Sequence, residues 1–282
     1  MNKTFCKDNL KIAAFDVDGT IFHDGVMNEA VESAILRLAA SGVTIVLATG
    51  RLHYAIPKCI EDLGVFKYGI LANGALIWDF EKNCAVKKRA FEGAEADRIV
   101  KLLDSVTDAY FVAFESESVL TPRHLALFRQ NVKLEVPKDG SEPKEVYSTY
   151  DNLIEHIAEV NQPIFKIGCR FETVEECSSM LNKILEARTV EAASTGGKDI
   201  EITPLGVNKG SGGLLLCEHL GMDISNIIAF GDSGNDVDLL KIAGYGVVVD
   251  SGLETAKAVA DYIAPTVQED GVAKAIEELF GV

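Results

Sequence analysis

The chain has 282 residues, 48% of them hydrophobic and 25% charged, enough for a full core in one large domain or two moderate ones. Its formal net charge of −16 argues against nucleic acid and anionic membrane as partners, since both demand basic surface. No apolar run approaches the ~18–20 residues of a membrane span, and Met1–Leu10 lacks the apolar stretch of a signal peptide, so the expected location is cytoplasmic. The six cysteines (Cys6, Cys59, Cys84, Cys169, Cys177 and Cys217) show neither C-x-x-C nor metal-ligand spacing and are expected to be free thiols.

In chain order, Ile12–Val17 is an apolar run ending in acid and glycine, the pattern of a buried parallel strand. Asn28 can cap a helix with apolar positions Val31, Ala34, Ile35 and Leu38 at helical spacing, and Gly42 ends it. Val43–Ala48 is a second buried strand, followed by Thr49-Gly50-Arg51 and a helical stretch to Leu63 that Pro57 kinks or shortens. This βαβ opening predicts a doubly wound parallel sheet. Ile70–Trp78 reads as a hairpin around an Asn73-Gly74 type I′ turn.

From about Lys87 a different module begins. It holds predicted helices at Ala94–Val106, Asp151–Val160 and Thr173–Glu186, with strands at Tyr110–Phe114 and Ile164–Arg170. Thr173 and Glu176 form a capping-box pair, and Val136–Tyr147 is a polar loop. The strand–helix alternation then returns. Gly196-Gly197 turns between short strands, Asn208–Leu220 is helical, and Ile227–Phe230 is an apolar strand before Gly231-Asp232. Helices at Asn235–Ala243, near Leu253–Ala260, and to Phe280 complete the chain, with strands Gly246–Val249 and Tyr262-Ile263 between them. The expected organisation is an α/β protein: a Rossmann-like core of residues 1–83 and 189–282, with an inserted α/β cap of residues 84–188.

Four segments carry chemistry. In open parallel sheets ligands bind beyond the carboxyl ends of the strands, where Asp16/Asp18, Thr49 and Asp232 all fall. Asp16 and Asp18 are two apart and leave an extended chain on one face, so their mutual repulsion can raise one pKa and divide them into a nucleophile and a general acid/base. A D-x-D-G run also occurs in calcium loops, but no Glu stands at the twelfth position, near which Asn28 is found instead. Thr49 offers a hydroxyl and Gly50 lets backbone amides approach an anion at the start of the next helix. Lys209 opens a helix, where the macrodipole disfavours a cation unless an anion is near. Asp232 and Asp236 bracket a Gly/Ser/Asn loop, and hard cations such as Mg²⁺ take oxygen ligands of this kind. The four aspartates carry about −4 if all are ionised, and Lys209 with Mg²⁺ supplies about +3, which makes a bound phosphate dianion tolerable.

Together these segments resemble the haloacid dehalogenase superfamily, in particular its Cof-like phosphatase branch. The match runs the length of the chain: D-x-D-G-T at Asp16–Thr20, A-T-G-R at Ala48–Arg51, A-N-G-A at Ala72–Ala75, Gly206–Gly210, G-D-S-G-N-D at Gly231–Asp236, and Glu269–Val272. The resemblance implies that Asp16 is the nucleophile, forming an aspartyl-phosphate; spacing alone leaves Asp16 and Asp18 interchangeable. It implies that Asp18 protonates the leaving group and then activates water, with its backbone carbonyl on Mg²⁺. Thr49, Gly50, Lys209 and Asn235 would contact the phosphoryl group, and Asp16, Asp18, Asp232 and Asp236 would serve the metal. The interval from Asp16 to Thr49 is consumed by a strand, a helix and a strand, so the cap falls in the later interval before Lys209. In relatives such a cap closes over the site and selects the substrate. Arg123, His124 and Lys166 are candidate cap cations, although surface or packing roles are the ordinary expectation for them.

The function expected is Mg²⁺-dependent hydrolysis of a small phosphate monoester, a sugar phosphate or a phosphorylated cofactor. The alternative is a regulatory protein that binds a phosphometabolite without turnover, which would have no need of a leaving-group acid at Asp18. A dinucleotide-dependent dehydrogenase is disfavoured, because the first strand leads into Asp-Gly-Thr and not into G-x-G-x-x-G.

Overall fold

The computed structural model describes residues 3–107, 110–114, 118–120, 147–149, 153–160 and 162–282. Arg123 and His124 lie outside the described residues, as do 136–146 of the polar loop. The chain divides into two compact units, 1–87 with 208–282, and 88–207.

The first unit is built on β1 (Ile12–Phe15), β2 (Thr44–Ala48), β3 (Phe66–Leu71), β4 (Leu76–Asp79), β5 (Cys84–Lys88), β12 (Ile227–Gly231), β13 (Tyr245–Val249) and β14 (Tyr262–Ala264). Their order in one sheet is β14-β13-β12-β1-β2-β3-β4-β5, with β14 through β3 parallel and β4 antiparallel to β3. The central strands are apolar at every position, as a sheet covered on both faces requires. Six helices belong to this unit: α1 (Glu29–Ala40), α2 (Lys58–Glu61), α6 (Lys209–Leu220), α7 (Val237–Ile242), α8 (Glu254–Lys257) and α9 (Gly271–Phe280). Leu216 of α6, Leu239 and Leu240 of α7 and Ala256 of α8 share one apolar cluster with Ile12, Ala14, Val46, Ile227 and Val248. Helix α1 packs on α9, burying Val31, Ala34, Ile35 and Leu38, the stripe expected from the sequence.

Two local expectations are corrected. The helix expected after Thr49-Gly50-Arg51 is a 3-10 turn at His53–Ala55 followed by the single turn of α2. Pro57 caps α2, and Ile56 before it is extended (φ −72°, ψ 131°), the conformation a following proline imposes. The β3–β4 connection is wider than a two-residue turn, because Leu71 pairs with Leu76 and residues 72–75 form the loop.

Among the described residues the second unit has a six-stranded sheet in the order β10-β11-β9-β6-β7-β8, from β6 (Tyr110–Ala113), β7 (Ser118–Leu120), β8 (Tyr147–Thr149), β9 (Lys166–Arg170), β10 (Val190–Ser194) and β11 (Asp199–Pro204). Helices α3 (Gly93–Asp104), α4 (Leu153–Val160) and α5 (Val174–Glu186) contribute Ile99, Leu103, Leu153, Met180 and Ile184 to a core with Val112, Ile167, Cys169, Ile200 and Ile202. The Thr173–Glu176 capping box forms as expected. Since β10 pairs with β11 and β11 with β9 in this sheet, residues 189–207 lie in the second unit, and the boundary expected at 188 falls at 207. None of the six cysteines is in a disulfide, and three of them are buried. Among the described residues no helix is long and apolar enough to cross a membrane.

Candidate active site

The carboxyl ends of β1, β2 and β12 bring the predicted residues together. Asp16 continues β1, its amide donating to the Phe230 carbonyl at 2.9 Å, so it sits beside the end of β12. Beneath it Phe15 and Phe230 stack at 4.6 Å, fixing the two strand ends in register. Lys209, the first residue of α6, has no solvent exposure. Its Nζ donates to Asp16 Oδ1 at 2.7 Å and to Asp236 Oδ1 at 2.6 Å. The helix start is held by Asn208, whose side chain accepts from the Ser211 amide at 2.8 Å. The two carboxylates account for a cation at the positive end of a helix.

Asp236 Oδ2 accepts from the amides of Asp232 and Ser233 at 3.1 and 3.0 Å, so both of its oxygens have donors. Asp232 accepts from Thr20 Oγ1 at 3.1 Å. Gly19 lies against it with φ +83°, and a Cβ there would fall 2.6 Å from Asp232 Oδ2, so only glycine fits the D-x-D-G-T turn. One ligand oxygen from each of Asp16, Asp232 and Asp236 lies within 4.8 Å of the others.

Asp18 is not in that cluster. Its side chain is half exposed and takes a fork from Arg51, Nε to Oδ2 at 2.8 Å and Nη2 to Oδ1 at 2.7 Å. Arg51 is fixed in turn by a bond from Nη1 to the Ala55 carbonyl at 2.8 Å and by the Phe22 ring. Thr49 is buried, and its hydroxyl accepts from the Arg51 amide at 3.2 Å. Asn235 is half-buried and donates through Nδ2 to Asn73 Oδ1 at 3.1 Å.

Electrostatics follow from this packing. Burial pushes the Asp16 carboxyl well above its ordinary range against the pull of Lys209, with Asp236 and Asp232 adding to the rise and Asp18 contributing least. Burial first and Asp236 second raise Asp232 to about 7. Burial alone would depress the Lys209 ammonium, but Asp16 and Asp236 hold it above its usual value. Three carboxylates face one lysine, so all three can be ionised together only if a further positive charge is present. The donors of the site are all oxygen, which suits a hard divalent cation such as Mg²⁺.

Four contributors escaped the sequence reading: the Arg51 side chain, Thr20, Ser233 and Asn73. Each stands inside a motif singled out there, but their partners are distant in sequence. Lys166, a candidate substrate contact, is buried in the second unit, ion-paired with Glu201 and placed 5.3 Å from the Phe111 ring centre.

Comparison with known proteins settles the kinship. The family model of haloacid dehalogenase-like hydrolases matches residues 13–276. The chain belongs to that family. A 5-amino-6-(5-phospho-D-ribitylamino)uracil phosphatase of Bacillus subtilis is 29% identical over 269 residues, covering 95% of each chain. Among solved structures, a haloacid dehalogenase-like hydrolase from B. subtilis superposes with a TM-score of 0.84 at 24% identity, covering 95% of this chain and 99% of that one. A sugar phosphatase of subclass IIB superposes with a TM-score of 0.79 at 25% identity, covering 96% and 99%. As a haloacid dehalogenase-like hydrolase the chain thus has the α/β core with an inserted α/β unit that its motifs implied.

Proposed function

We infer that this protein is a Mg²⁺-dependent phosphatase acting on small phosphate monoesters. The observation that carries the reading is Lys209, buried without exposure and bridging Asp16 to Asp236 beside Asp232. A fixed cation among three converging carboxylates supports binding and transfer of a phosphoryl group. The relatives named as phosphatases act on a ribityl phosphate and on sugar phosphates, so a phosphorylated sugar or sugar alcohol is the substrate class assigned here.

Asp16 attacks phosphorus while the bond to the leaving oxygen breaks, and Asp18 donates a proton to that oxygen, releasing the alcohol. Asp18 then takes a proton from water as the water oxygen attacks the aspartyl-phosphate, returning Asp16 and releasing phosphate. Lys209, Thr49 and Asn235 hold phosphoryl oxygens, together with the backbone at Gly50. The carboxylates of Asp16 and Asp232 and the Asp18 carbonyl would hold Mg²⁺, with Asp236 supporting them through Lys209 and the loop amides. When bound, the ion supplies positive charge that lets a dianion enter and stabilises the charge developing on transfer. The second unit, residues 88–207, is assigned the choice of leaving group.

The test is phosphate release from a panel of sugar phosphates, ribityl phosphates, nucleotides and phosphorylated cofactors, with Mg²⁺ or with chelator. Turnover that needs Mg²⁺ and vanishes in Asp16→Asn is the expected result. A folded protein that binds Mg²⁺ yet turns over no ester would move the assignment to a phosphometabolite-binding regulator.

A further inference from the structure

One motif has no part in the chemistry above: Ala72-Asn73-Gly74-Ala75, between β3 and β4. Three successive residues pass through left-handed backbone, with φ of 47° at Ala72, 54° at Asn73 and 93° at Gly74. A side chain with a Cβ disfavours that region, and asparagine tolerates it best among those that carry one. Joining two antiparallel strands does not demand this, since a two-residue Asn-Gly turn would suffice without placing an alanine there.

What the turn touches explains its shape. The Ala72 amide donates to the Arg51 carbonyl at 3.0 Å and the Asn73 amide to the Thr49 carbonyl at 3.1 Å, so the turn braces the loop after β2. Gly74 lies against the start of α6, where a Cβ would fall 2.1 Å from the Asn208 carbonyl oxygen. The Asn73 side chain is buried, and its Oδ1 accepts from Asn235 Nδ2 at 3.1 Å. Asn235 Oδ1 in turn accepts from Ser233 Oγ at 2.7 Å. Three distant segments, carrying Thr49, Lys209 and Asn235, therefore meet on one four-residue turn.

We propose that Asn73 is a positioning residue for the phosphoryl group, acting through Asn235; the proposal rests on the phosphatase reading above. An amide side chain can present either its oxygen or its nitrogen. With Asn73 Oδ1 on one side and Ser233 Oγ on the other, Asn235 has one orientation, and its nitrogen keeps a second N–H for a phosphoryl oxygen. The left-handed backbone at residue 73 is what delivers the acceptor to that place while the same turn seats Thr49 and the start of α6.

The experiment compares wild type, Asn73→Gly, Asn235→Ala and the double variant by steady-state kinetics on a phosphate ester and by calorimetric affinity for inorganic phosphate in the presence of Mg²⁺. Glycine accepts the left-handed backbone, so Asn73→Gly keeps the turn and removes only the amide. The expected result is a rise of about tenfold in KM and in the phosphate dissociation constant for Asn73→Gly, with a smaller change in kcat. The double variant should be no worse than Asn235→Ala alone, since residues acting as one unit are not additive. Additive losses, or wild-type affinity in Asn73→Gly, would overturn the proposal. A wild type inactive on every ester would count against the phosphatase reading, and the calorimetric arm would still decide the role of Asn73.

Discussion

The two units bury charge in opposite ways. In the first, Asp16, Lys209 and Asp236 are buried together at strand ends, one cation against two carboxylates. In the second, charges lie along a sheet face: Lys166 pairs with Glu201, and Arg170 with Asp199 at 2.9 Å, on the side opposite Ile167 and Cys169 of the core. The difference follows from sheet type. A parallel sheet covered on both faces leaves strands no polar position, so polar groups collect where strands end, and there they converge. A sheet with one apolar face places a polar residue at every other position, and its charges pair off locally. Buried lysines thus mean different things: Lys209 faces a cluster of three carboxylates at strand ends, whereas Lys166 pairs with Glu201 across neighbouring strands.

The sharpest way to break this comparison is Lys209→Met, which should abolish turnover and, in the metal-free protein, cost about 3–5 kcal/mol in denaturant unfolding by leaving buried carboxylates uncompensated. A loss no larger than a surface substitution would show that the cluster does not depend on its cation. Next, Asp18→Asn should slow single-turnover release of the alcohol by roughly 10²–10⁴-fold on alkyl phosphates, and much less release of p-nitrophenol from p-nitrophenyl phosphate, whose leaving group needs no proton. Equal losses on both would remove Asp18 from leaving-group protonation.

Smaller is the pH effect at Asp232, raised to about 7. A proton must leave before a cation binds, so Mg²⁺ affinity by calorimetry should fall as pH drops below about 7, approaching tenfold per unit, and level off above it. In the metal-free protein the raised group binds protons more tightly folded than unfolded, so its contribution to stability is present at low pH and lost as pH rises through about 7. Asp232→Asn should flatten both profiles. The smallest effect belongs to the second unit, where Thr173→Ala removes a capping bond at the start of α5. It should cost about 1 kcal/mol of stability and leave kcat unaltered; a kinetic change would show that the two units are coupled.

Much of the first unit was legible because its signals are local. The βαβ opening, the α1 stripe and the four segments of the candidate site are each written in a few adjacent residues. Asp16, Lys209, Asp232 and Asp236 could be named from them, since strand ends, glycine turns and acidic pairs declare themselves along the chain. Tertiary structure decided the rest. Lys209 reads in sequence as a cation on a helix start that calls for an anion, and only the approach of Asp16 and Asp236 makes it a buried bridge. Asp18 looks like the twin of Asp16, and only Arg51 separates them, turning one outward while the other is buried. The bond from Asn235 to Asn73 and the pairing that draws residues 189–207 into the second sheet belong to the same class. Amino-acid order determines which groups are available and how each short segment bends. Which distant groups share a low-dielectric space, and so which charges are raised, paired or exposed, is set when the strands come into register.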